Sequence, residues 1–162
     1  MNDGSTTGGP LAVGARAPEF ELRDQNNQVV SLSALLADRA VLLVFFPLAF
    51  TGTCQGELGY IRDHLPDFDN ESLTTVTISV GPPPTHKVWS SAQGFLFPIV
   101  SDFWPHGAVA SAYGAFNEQS GVPNRATFVI GRDGLIAFSD MVGPGEMREA
   151  ALWDRALAVP HS

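Results

Sequence analysis

The chain has 162 residues, 44% hydrophobic and 16% charged, which suits one water-soluble domain with a sizeable core. Its formal charge of −8, from 9 Lys and Arg against 17 Asp and Glu, repels phosphate backbones and anionic membranes, so neither nucleic acid nor a membrane is expected as a partner. A single cysteine excludes disulfide scaffolds and multi-cysteine zinc sites, and the four histidines form no HExxH pair, so no metal or other cofactor is expected.

Residues 1–10, MNDGSTTGGP, read as a disordered tail ahead of one domain over 11–160. They lack the basic start and apolar stretch of a signal peptide, and with the lone thiol this predicts a cytoplasmic protein. From 19 to 32, Phe20, Leu22, Val30 and Leu32 alternate about a polar RDQNNQ turn, the pattern of an N-terminal β-hairpin. Ser33 is placed to cap a short helix over ALLADR. AVLLVFF at 40–46 is apolar on both faces and predicts a central strand covered by helices on each side, ending at Pro47. After Cys54, Leu58, Ile61 and Leu65 recur at helical spacing until Pro66, which is expected to stop the helix. LTTVTISV at 73–80 reads as a second buried strand. GPPP at 81–84 is a stiff loop, and THKVWSSAQ a short helix capped by Thr85. FPIVSD predicts a short strand, and HGAVASAYGAF a helix ending near Gly114. RATFVIGRDGLIAFSD at 125–140 reads as two strands about a GRDG turn, and EMREAALWDRAL at 146–157 as an amphipathic terminal helix. Strands alternating with helices in this order predict an α/β fold with a central mixed sheet.

The stretch FFPLAFTGTCQGEL, residues 45–58, runs a strand through a turn into a helix. Cys54 then sits where unpaired N–H groups and the helix dipole favour an anionic sulfur. A lone cysteine is more often a small buried hydrophobe, but Thr53, Gln55, Gly56 and Glu57 are not core residues, and such neighbours favour chemistry. The Thr51 hydroxyl is placed either to cap the helix or to donate across the turn toward the sulfur.

Pro47, Thr51 and Cys54 spell P-x-x-x-T-x-x-C, and in this the sequence resembles the peroxiredoxins, thiol peroxidases of thioredoxin-like fold. From about Gly14 to Leu157, including GPPPTHKVW, SDFWPHGAV and YGAFNEQSGVPNRATFV, it is similar to one-cysteine peroxiredoxins of the alkyl hydroperoxide reductase E type. The resemblance implies reduction of hydrogen peroxide, organic hydroperoxides and peroxynitrite through a Cys54 sulfenic acid. By the same resemblance Arg125 of PNRATF joins Cys54, Thr51 and Pro47 as a catalytic residue, with Pro47 shielding the sulfur. Glu57 is either a helix-dipole carboxylate or the residue that orients Arg125. Trp89 and His86 resemble a His-x-x-Trp element near the arginine; Trp89 is otherwise a core residue, and His86 is expected on a loop or helix surface. Phe46 and Phe50, with Phe103 and Trp104, either wall an apolar substrate mouth or pack the core.

No second cysteine is present to resolve a sulfenic acid, so the reductant is external, and excess peroxide is expected to drive Cys54 to a sulfinic acid. The resemblance implies mycothiol and a mycoredoxin-like partner, and a homodimer. Cys54 is followed by Gln55 where the wider family more commonly has Pro or Thr. Two other classes compete. A cysteine hydrolase requires a histidine paired with the thiol, and a redox-inactive thioredoxin-like binding module would leave Cys54 inert.

Overall fold

The structure, a computed structural model, describes residues 9–161, so most of the expected tail lies outside the described residues. Strands β1 (Glu21–Arg23) and β2 (Val29–Ser31) form the expected antiparallel hairpin. They are followed by α1 (Leu32–Leu36), β3 (Ala40–Phe45), α2 (Gly52–Asp63), α3 (Leu65–Phe68), β4 (Leu73–Ser79), α4 (Pro83–Gln93), β5 (Ile99–Ser101) and α5 (Ala108–Ala112). A two-residue pair, β6 (Phe116–Asn117) with β7 (Val122–Pro123), precedes β8 (Arg125–Ile130), β9 (Ile136–Val142) and α6 (Ala150–Ala158). The main sheet runs β9-β8-β3-β4-β5. β3 pairs parallel with β4 and antiparallel with β8, which makes the sheet mixed, as expected. This is the thioredoxin-like arrangement, with an N-terminal hairpin appended.

Every residue of β3 is buried, because helices cover both faces of the sheet. Leu42 and Val44 face a cluster with Cys54, Leu58 and Ile61 of α2, Trp89 of α4 and Trp153 of α6. Val41, Leu43 and Phe45 face the other way, onto Phe20, Val76, Tyr113 and Phe128. The chain therefore leaves the middle of the sheet at Phe45 and enters α2 with its first turn lying over the core. At the sheet's edge, Gln25 of the hairpin turn donates to Phe97 O and accepts from Ile99 N–H, so a side chain pairs the free edge of β5. Among the described residues no helix is long and apolar enough to cross a membrane.

Four boundaries differ from expectation. Ser31, not Ser33, caps α1: its extended backbone lets Oγ accept from Ala34 N–H at 3.2 Å, while Ser33 is engaged by Glu19. Pro66 does not stop α2, which ends at Asp63; it sits in the first turn of α3, where its missing N–H leaves no ladder bond unmade. For the same reason α4 starts at Pro83, ahead of Thr85, and is capped at Pro82. The terminal helix begins at Ala150 and not at 146, because Glu146 and Arg148 are drawn into other contacts.

His86, expected on a surface, is fully buried. Its Nδ1 lies 3.1 Å from Ser101 Oγ, and its Nε2 has no hydrogen-bond partner among the described residues. A Cβ at Gly81 would come within 2.9 Å of that nitrogen, so only glycine fits there. Burial pushes the imidazole down from 6.5 to about 4. Between those two pH values the unfolded chain binds the extra proton, so His86 leaves stability intact above pH 6.5 and removes up to about 3 kcal/mol as pH falls toward 4. Urea titrations at pH 7 and pH 4.5 should show this loss, and His86→Leu should flatten it. An undiminished slope in the variant would assign the loss to other groups.

Candidate active site

Phe45 ends β3, and a loop over 46–51 reverses the chain before α2 begins. Pro47 is buried, and its carbonyl accepts from Ser79 Oγ at 2.9 Å, which pins the loop to the end of β4. Phe50 adopts φ +65°, a left-handed backbone that a bulky side chain rarely takes and that costs on the order of 1–3 kcal/mol. Thr51 is the N-cap residue of α2. Its hydroxyl neither caps a backbone N–H nor donates to sulfur; it donates to Leu48 O at 2.8 Å, a carbonyl that the tight turn brings within reach.

The first ladder bond of this helix is Gln55 N–H to Thr51 O, which leaves the N–H groups of residues 52–54 without ladder partners around the sulfur. Cys54 has no exposed surface. Arg125, the first residue of β8, is 4% exposed and directs Nη1 at Cys54 Sγ across 3.3 Å. The same Nη1 donates to Glu57 Oε1 at 2.7 Å, and Nε donates to Pro144 O at 3.1 Å. Three residues separated by up to 71 positions thus converge, with the Glu57 carboxylate accepting from the same guanidinium nitrogen that faces the sulfur.

A fourth member was not anticipated. Arg148 donates to Glu57 Oε1 through Nη1 at 2.6 Å and to Oε2 through its backbone N–H at 2.8 Å. Its Nε reaches Thr127 Oγ1 at 2.8 Å, and its Nη2 donates to Phe45 O and Ala126 O. Burial pushes the Arg148 guanidinium down from its ordinary value, against the pull of Glu57. In sequence it looked like one polar position of an amphipathic helix. The Pro144–Gly145 pair just upstream, a turn signal, was the one local hint that the helix starts later.

The aromatic expectations divide. Trp89 is a core residue with no exposure, packed on Phe46 and Phe95, and its Nε1 donates to Gln55 Oε1 at 3.1 Å; it has no hydrogen bond to Arg125. Phe46 is wholly buried and lines no mouth, because β3 carries it onto the α4 face of the sheet. Phe50 is 55% exposed beside the Cys54 turn, with its ring 6.2 Å from Trp89. Phe103 and Trp104 are exposed, and among the described residues neither stacks on Phe46 or Phe50. No group of three or more His, Cys, Asp or Glu able to hold a metal ion occurs among the described residues.

A buried thiol at a helix start, faced by a guanidinium on a thioredoxin-like sheet, defines a thiol-dependent oxidoreductase class, and the comparisons agree. The chain belongs to the AhpC/TSA family, which matches residues 13–139. Alkyl hydroperoxide reductase E of Mycobacterium tuberculosis is 61% identical over 148 residues, 91% of this chain and 97% of that protein. The relationship is to the one-cysteine thiol peroxidases, peroxiredoxins of the alkyl hydroperoxide reductase E type. Among solved structures, peroxidoxin BcpB from Mycobacterium tuberculosis superposes with a TM-score of 0.79 at 32% identity, over 91% of this chain and 95% of that one. Reduced 2-Cys peroxiredoxin of Plasmodium vivax gives 0.78 at 25% identity, over 91% and 79%.

Proposed function

We propose that Cys54 is the peroxidatic residue and that Arg125, Thr51 and Pro47 complete its site. The anionic sulfur attacks the distal oxygen of R–O–O–H, the O–O bond breaks, and the products are Cys54–S–OH and an alkoxide that takes up a proton. The observation that carries this reading is the 3.3 Å contact from Arg125 Nη1 to Cys54 Sγ inside a buried cluster. Two guanidiniums against one carboxylate leave that cluster one positive charge in excess, and an anionic sulfur balances it. At an effective dielectric near 20, unit charges at that distance attract by about 5 kcal/mol before desolvation, against about 1 kcal/mol for a neutral hydrogen bond. Arg125 therefore dominates, and it also meets the negative charge that develops on the leaving oxygen. Thr51, whose hydrogen goes to Leu48, offers its oxygen to accept the O–H of the peroxide. Pro47, buried, lacking an N–H and held through its carbonyl by Ser79, is the residue we assign to shield the sulfur.

The peroxide range includes hydrogen peroxide, organic hydroperoxides and peroxynitrite, with Phe50 supplying apolar contact at the entrance. An external thiol restores the enzyme, and family resemblance favours mycothiol with a mycoredoxin-like protein in the cytoplasm. The resemblance favours a homodimer, which would have exposed apolar side chains to cover, among them Leu48, Phe50 and Val88 at 43–62% exposure. A hydrolase is disfavoured, because the hydrogen-bond partner of Cys54 is a guanidinium and none of the four histidines contacts it.

Stopped-flow mixing of reduced protein with hydrogen peroxide should give a rapid tryptophan fluorescence change and a sulfenic acid that dimedone traps on Cys54. Cys54→Ser should show neither. A wild-type protein that consumes no peroxide, or a serine variant that does, would overturn the reading.

A further inference from the structure

Under that reading the Thr51 hydroxyl presents its oxygen to the peroxide O–H, so its own hydrogen must be spent elsewhere. Thr51 is the N-cap residue of α2 with an extended backbone, φ −107° and ψ 145°, the conformation in which a threonine ordinarily accepts from an N–H of the first turn. A capping hydroxyl would have its oxygen drawn to the helix. What decides against capping is Leu48 O, which takes the Thr51 hydrogen at 2.8 Å and leaves the oxygen as an acceptor.

The group that holds Leu48 O in place lies one residue back. Pro47 O accepts from Ser79 Oγ at 2.9 Å, and that carbonyl shares a rigid peptide plane with the Leu48 N–H. Only the two backbone dihedrals of Leu48 therefore separate the Ser79 bond from Leu48 O. Ser79 is a firm anchor: it is fully buried, ends β4, and lies in register with Ser101 of β5. Its own carbonyl accepts from Asp102 N–H at 2.7 Å. Among the described residues no other side chain from outside the 46–51 loop hydrogen-bonds to that loop. The left-handed Phe50 bends the chain so that Leu48 O and Thr51 Oγ meet, and a strained turn keeps its shape only when the structure on either side fixes its ends. Helix α2 fixes one end, and Ser79 the other.

We infer that Ser79 is a positioning residue for the peroxide step: by fixing the Pro47 carbonyl it places Leu48 O to take the Thr51 hydrogen, and so sets Thr51 as acceptor of the peroxide O–H. The inference rests on Cys54 being peroxidatic with Thr51 as its partner. Three bonds then point one way, Ser79 Oγ–H to Pro47 O, Thr51 Oγ–H to Leu48 O, and peroxide O–H to Thr51 Oγ. The step is Cys54–S⁻ + H–O–O–R → Cys54–S–O–H + RO⁻. The oxygen that moves to sulfur keeps its hydrogen, and that hydrogen is the one Thr51 accepts.

Ser79→Ala removes only the hydroxyl and should lower the second-order rate constant for hydrogen peroxide about fivefold to tenfold, the factor one neutral hydrogen bond carries. Thr51→Val should slow the same step more. Ser79→Ala added to Thr51→Val should then cost less than about twofold further, because Ser79 acts through Thr51. Alkylation of reduced Cys54 by iodoacetamide, which has no O–H to give, should keep its wild-type rate and pH profile in Ser79→Ala, since Arg125 still faces the sulfur. Three results would each overturn the assignment: a peroxide rate in Ser79→Ala within twofold of wild type, losses that multiply in the double variant, or alkylation that changes along with the peroxide step, the mark of a site loosened as a whole. Failure of the wild-type protein to react with peroxide at all would instead remove the reading of Cys54 on which the inference stands.

Discussion

Arg125→Ala should lower the second-order rate constant for hydrogen peroxide by about a thousandfold while leaving a folded protein. Loss of one oriented donor at a developing oxyanion costs on the order of 100- to 1000-fold, and this donor also carries the charge that faces the sulfur at 3.3 Å. The fold survives because Glu57 keeps two partners after the truncation, Arg148 Nη1 at 2.6 Å and Arg148 N–H at 2.8 Å. Arg125→Lys should recover only part of the rate, since an ammonium does not reproduce the fork that reaches Cys54, Glu57 and Pro144 O together. Stopped-flow rates alongside thermal melting separate the effects. A rate in Arg125→Ala within tenfold of wild type would refute the role given to this residue.

Arg148→Met should do the reverse. It removes a wholly buried charge from a buried carboxylate and leaves Phe45 O, Ala126 O and Thr127 Oγ1 without their guanidinium donors. Breaking a buried pair in this way costs about 3–5 kcal/mol, and urea unfolding should register it. Arg148 makes no hydrogen bond to Cys54, and Glu57 retains Arg125, so the peroxide rate of the folded variant should fall far less than in Arg125→Ala. The two arginines then divide: one acts chiefly on rate, the other chiefly on stability and, through Glu57, on placement. Equal stability of Arg148→Met and wild type would show that the buried network contributes nothing to the fold.

The division matters because one carboxylate serves both. Glu57 lies one turn after Cys54 on α2, and its Oε1 receives both arginines while Oε2 receives a backbone N–H from the loop before α6. That loop, pinned also through Pro144 O to Arg125, closes the site from the side of the C-terminal helix. Positions 57, 125 and 148 therefore form a buried bridge between α2, β8 and the last segment of the chain, with the sulfur at its end.

Local patterns determined much of this protein. The period-two alternation around RDQNNQ, the doubly apolar run AVLLVFF and the GRDG turn specify strands whose partners lie nearby or whose burial is unambiguous, and all are found. The thiol turn was legible for the same reason: Pro47, Thr51 and Cys54 lie within eight residues, so one loop and one helix start place them. Side-chain destinations were not legible. Ser33 lost the cap to Ser31, and Thr51 turned its hydroxyl to Leu48 O, because one carbonyl or one residue of register decides between equally suitable short polar groups.

What only the tertiary structure decided was which charges and rings meet across the sheet. Arg148 reaches Glu57 over 91 positions and Phe45 O over 103, and that contact, unseen in any local period, delays α6 to Ala150. His86 is drawn inside by the space that Gly81 leaves, and Phe46 by the face onto which β3 carries it. Helical and strand periods report which residues turn inward, whereas a buried ion pair or an unpartnered imidazole depends on where separate elements are stacked, and that is set by the packing of the whole sheet.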